Sequence, residues 1–67
     1  MTDDDNLGRP VTVTLRWDDA DAAWHIVVEA RAAAKATLKL TPCEQNLLVV
    51  EQIERILKAI TQALAQP

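Results

Sequence analysis

From Pro10 the chain alternates, with Val11, Val13, Leu15 and Trp17 on one side and Thr12, Thr14 and Arg16 on the other. Period-two alternation is the mark of a half-buried strand. The segment Asp18-Asp19-Ala20-Asp21-Ala22 then interrupts with side chains that favour turns by bonding their own backbone. Alternation resumes through Ala22, Trp24, Ile26, Val28 and Ala30, and the β-branched run 26–28 fits a second antiparallel strand. A turn near Ala32 to Ala34 leads to a third strand, in which Leu38 and Leu40 alternate with Lys35, Thr37 and Lys39.

The period changes at Thr41-Pro42-Cys43-Glu44. Thr41 is placed to cap a helix, Pro42 to occupy its first position and Glu44 to complete a capping box. Beyond it Val50, Ile53, Leu57, Ile60 and Leu64 recur at steps of three and four, widened by Val49, Ile56 and Ala63, with Glu51, Glu54, Arg55, Lys58 and Gln62 opposite. The pattern predicts an α+β fold: a three-stranded antiparallel β-meander (about 10–17, 23–30 and 35–40) under one long amphipathic helix (about 42–65). Residues 1–9, with three Asp and little to bury, read as a flexible acidic tail before a single domain over 10–67.

A helix of that length runs about 35 Å, whereas a seven-residue strand spans about 23 Å. The overhanging apolar end needs a cover, and a second copy of the chain is the economical one. Leu48, Ile56, Ile60 and Leu64 are the candidate dimer interface.

Composition bounds the chemistry. The chain has 67 residues, one Gly, one Cys, one His and no Tyr or Phe, and eleven of its apolar residues are Ala. So small a core calls for extra stabilisation, yet one Cys cannot form an internal disulfide, and Cys43 with His25 gives two of the four ligands of a structural zinc. A single Gly at position 8 rules out a Gly-rich phosphate loop. Asp18, Asp19 and Asp21 lack the regular spacing, the Gly and the distant Glu of a calcium loop. Cys43, near a helix N-terminus, is the one side chain with a case for raised reactivity, but it has no partner base. The reading is therefore no enzyme, no cofactor and no metal. With an acidic start and no apolar run near the ~20 residues of a membrane span, it is also cytoplasmic and soluble, with no membrane partner.

The formal net charge of −3 is uneven, and residues 24–42 are locally basic. On a meander, Arg16, His25, Arg31, Lys35 and Lys39 would share the outward sheet face and form a candidate partner-binding surface. Nucleic acid is disfavoured because both Trp point inward, away from any stacking role. The function expected is a small non-enzymatic interaction module, an accessory, regulatory or inhibitory protein that is homodimeric and binds a protein partner.

The order of elements also resembles a ribbon-helix-helix DNA-binding repressor. The resemblance implies a dimer ribbon over 11–17 with Thr12, Thr14 and Arg16 facing the major groove, a first helix over 19–35 and a second from Thr41. The β-branched run at 26–28, the alternation at 37–40, the long final helix and the overall acidity weigh for the meander. A third reading is a structural subunit of a larger complex.

Overall fold

The computed structural model describes residues 7–66 and folds them as a hairpin of two long helices, α1 (Trp17–Leu40) and α2 (Glu44–Ala65). Residues 1–6 of the expected tail lie outside the described residues. Leu7 and Gly8 form a turn, in which Gly8 takes a φ of 77° that a residue with a Cβ adopts only at a cost. Residues 9–16 then run without regular secondary structure to the start of α1.

The meander is overturned, since the described residues contain no β-strand. The expected strands 23–30 and 35–40, the turn before the first and the turn between them all lie within α1. Between Pro10 and Pro42 there is neither Gly nor Pro, and α1 holds eight of the chain's Ala, the best helix former. Asp18 and Asp19, read as turn formers, occupy the first turn of α1, and Lys39 its last. Both placements suit the helix dipole. Of the ribbon-helix-helix alternative, the order of an extended segment followed by two helices is observed, but Trp17 begins α1 two residues before the expected start and α1 has 24 residues where the resemblance implied 17. Its ribbon would pair residues 11–17 of two copies, which a single chain does not test.

Pro42 sets the hairpin. It pushes the preceding residue out of the helical region, so Thr41 sits at φ −132°, ψ 80° and ends α1 with its N–H donating to the Thr37 carbonyl at 2.8 Å. Cys43, not Thr41, is the N-cap of α2, and no capping-box bond forms. Instead Asn46, in the first turn of α2, donates from Nδ2 to the Thr41 carbonyl at 2.8 Å and clamps the three-residue connection. The helix expected over 42–65 is otherwise observed, starting two residues later.

The helices meet along matched seams. Ala20, Trp24, Val27, Arg31, Ala34 and Leu38 of α1 repeat at steps of four and three, and so do Asn46, Val50, Ile53, Leu57, Ile60 and Leu64 of α2; all are buried or half-buried. This is the spacing of an antiparallel coiled coil. The molecule measures 39 × 32 × 14 Å, so its thickness is that of one helix with its side chains. Among the described residues only Ala20, Val50 and Leu57 are buried.

Leu57 is the largest of these, and shortening it to Ala is expected to cost about 2–5 kcal/mol. Urea unfolding followed by far-UV circular dichroism, which for the parent chain reads roughly two-thirds helix, measures the loss.

Candidate interaction face

A plate one helix thick has two broad faces, and the charges divide them. On one, the α1 flank of Trp24, Arg31 and Lys35 meets the α2 flank of Glu54, Lys58 and Thr61. Lys35 Nζ lies 3.4 Å from Glu54 Oε1, a half-exposed ion pair between the helices that contributes at most about 1 kcal/mol. Trp24 Nε1 donates to Thr61 Oγ1 at 2.9 Å, and the same hydroxyl donates to the Leu57 carbonyl at 2.8 Å. A shallow depression of about 490 Å³ lies between Arg31, Glu54, Lys58 and Thr61.

The opposite face presents small and apolar side chains. By the helical period, α1 contributes Ala23, Ile26, Ala30, Ala34 and Thr37, and α2 contributes Val49, Gln52, Ile56, Ala59 and Ala63, with Thr37 and Gln52 the uncharged polar members. Ile26 is 67% exposed and Ile56 46%. Thr37 donates its hydroxyl to the Ala33 carbonyl at 3.0 Å, so it brings no unmet donor. The one charge on this face is Asp19, at its N-terminal end in the first turn of α1.

At the end of the plate away from the loop, the extended segment widens this face into a groove. Val11, Thr12, Val13, Leu15, Trp17 and Ala20 form one wall, and Ile56, Ala59, Ile60, Ala63 and Leu64 the other, around a volume of about 780 Å³. No charged side chain lines it. Val11, Val13, Leu15 and Trp17 of the alternating row line the groove together with Thr12 of the other row, so the alternation read at 11–17 sorts neither a paired strand nor one buried side. Val11 remains 82% exposed and Trp17 65%, which corrects the expectation that both Trp are packed inward.

The five residues expected on one sheet face do not share one surface. Arg16 flanks the start of α1 and pairs with Asp18 at 3.2 Å, and His25 Nε2 lies 3.7 Å from Asp21 Oδ2. Arg31 and Lys35 share the charged flank one turn apart, with Lys39 a further turn on. Of the expected dimer residues, Ile56 lies on the apolar face, Ile60 and Leu64 are half-buried in the hairpin seam while also lining the groove, and Leu48 is exposed on another side of α2. Cys43 is exposed at the loop. Among the described residues no group of three His, Cys, Asp or Glu is placed to hold a metal ion, and no helix is long and apolar enough to cross a membrane.

The fold and the face together define a two-helix hairpin with one charged and one apolar side. Comparison with family models, curated proteins and solved structures gives no match.

The Trp24–Thr61 bond ties the helices together on the charged face. Thr61→Val removes the acceptor while keeping the shape, and is expected to cost about 0.5–1.5 kcal/mol. A shift in tryptophan emission with a lowered urea midpoint tests it, and an unchanged midpoint excludes a structural role for the bond.

Proposed function

We propose that this protein is a small non-enzymatic interaction module that assembles with itself through its apolar face and leaves its charged face outward for other proteins. The observation that carries the reading is the separation of charge on a plate one helix thick. Every other charged residue of the two helices lies off the face formed by Ala23, Ile26, Ala30, Thr37, Val49, Ile56 and Ala63, and only Asp19 lies on it, at the N-terminal end of the α1 stripe one turn before Ala23.

Surface area supports the same reading. The chain exposes 5841 Å², whereas a compact monomer of its mass exposes about 4,200 Å². The surplus of about 1,600 Å² is shared between the extended segment, exposed throughout residues 7–16, and the two broad faces of the hairpin. A stable domain is built from packed layers around a shared core, and the hairpin supplies one layer. Self-association supplies the second without a different partner, and two-fold dimers are its commonest form. The exposed lone thiol of Cys43 fits a reducing compartment such as the cytoplasm.

Sedimentation equilibrium is expected to give twice the chain mass. Ile56→Glu places a charge in the middle of the apolar face, and should weaken association at least a hundredfold, because an unpaired carboxylate buried there costs several kcal/mol. Lys58→Glu, on the opposite side of α2, should leave the mass unchanged. A monomeric parent chain, or a dimer indifferent to Ile56→Glu, refutes the proposal.

A further inference from the structure

Resting on that self-associating reading, we infer that the second copy lies antiparallel on the apolar face, with the two-fold axis crossing the hairpin at the level of Ala30 and Ile56.

Helix register places the axis. In the hairpin, Trp24 bonds Thr61 and Lys35 pairs with Glu54, which places Ala30 of α1 and Ile56 of α2 at nearly the same height. Each is also the midpoint of a stripe on the apolar face. On α2, Val49 and Ala63 lie seven residues either side of Ile56, and on α1, Ala23 and Thr37 lie seven either side of Ala30. Seven residues are two helical turns, so both stripes are centred on one line across the plate.

A two-fold axis in the plane of the face along that line reverses the second copy end to end. It sets α1 on α1 and α2 on α2, with Ala30 against its own copy, Ile56 against its own copy, Ala23 against Thr37 and Val49 against Ala63. Every one of these pairings is free of charge. Small residues at the α1 contact let the two backbones approach to the short end of helix packing distances.

The reversal also decides what fills the groove. In one copy the groove lies at the end away from the loop, lined by Ile56, Ala63 and the segment 11–17. The reversed copy brings its own loop end there, and with it Val49, which is 43% exposed in the hairpin. The groove is thus completed by the second copy, and the row Val11, Val13, Leu15 gains a cover. The other arrangement, with the axis parallel to the helices, sets the two loops together and lays α1 on α2 of the second copy. It leaves the two grooves side by side at the same end, away from Val49.

The cysteine positions separate the two. In the antiparallel dimer the two Cys43 thiols sit at opposite ends, each about 20 Å along α2 from the axis at Ile56, far beyond the Cα separation of about 7 Å that a disulfide spans. Oxidation of the dilute parent dimer with copper phenanthroline should therefore give no cross-linked species on non-reducing gels. Ala30→Cys in a Cys43→Ser background should cross-link within the dimer to more than half, independently of concentration. Ile56→Cys in the same background is the second probe, for use where the first variant does not fold.

Cross-linking at 30 or 56 without cross-linking at 43 supports the inference. A dimer that cross-links through Cys43 and at neither on-axis position overturns the antiparallel arrangement and leaves the self-association reading standing. A parent chain that sediments as a monomer overturns both.

Discussion

The thickness of the hairpin governs the rest of the structure. At 14 Å it is a single layer of helices, and a single layer has no interior. The seam between α1 and α2 is well matched, with two rows of residues at alternating steps of three and four, but it is a line rather than a volume. Leu57 and Val50 are buried where the seam is deepest, and the flanking Ile53, Ile60 and Leu64 are only half covered. Both broad sides therefore depend on what lies against them, and the distribution of charge states which side meets water.

That distribution has a physical logic on each face. The charged side is closed by contacts that water tolerates: an exposed ion pair, and a Trp indole whose N–H finds a threonine hydroxyl. These bonds fix the register of the hairpin more than they stabilise it, since each contributes little where solvent competes. The apolar side is built from alanines on α1 and larger residues on α2. Alanine keeps α1 helical over 24 residues at almost no side-chain entropy cost, and it leaves a smooth surface that a second helix can approach. The same residues thus serve local helix formation and the flatness of the face.

The α2 half of this arrangement was legible in the sequence, and the α1 half was not. For α2, one period explains the apolar positions, a proline marks the boundary, and Ile56 stands out as apolar beyond what a single seam requires. For 23–40 two periods compete for the same residues. Trp24 and Val28 belong to the alternating set, while Trp24, Val27, Arg31, Ala34 and Leu38 form the helical one. An arginine and an alanine at seam positions hide the longer period. The deciding signal was the absence of Gly, Pro, Asn and Asp across 22–41, because a meander must turn a second time there and nothing supplies that turn. The aspartates of 18–21 were misassigned for a related reason. Asp is as favourable in a first helical turn as in a reverse turn, and only the residues C-terminal to it distinguish the two. Of the residues read as one sheet face, Arg31, Lys35 and Lys39 stay on one flank at steps of four, and Arg16 and His25 fall elsewhere because a helix distributes at 100° steps what a strand would align.

In the proposed dimer, folding and assembly would be coupled. An isolated hairpin with three buried side chains gains little from its tertiary seam, and isolated helices are held by propensity alone. A second copy laid on the apolar face, as proposed, would convert Ile56, Val49 and the alanine stripe from exposed apolar surface into core. Stability would then carry the concentration dependence of the association, as it does for small dimers that lack a stable folded monomer. A charge on the apolar face would act on both equilibria at once, whereas a charge on the opposite face would leave association unchanged, and that asymmetry arises from the plate geometry rather than from the identity of any one residue.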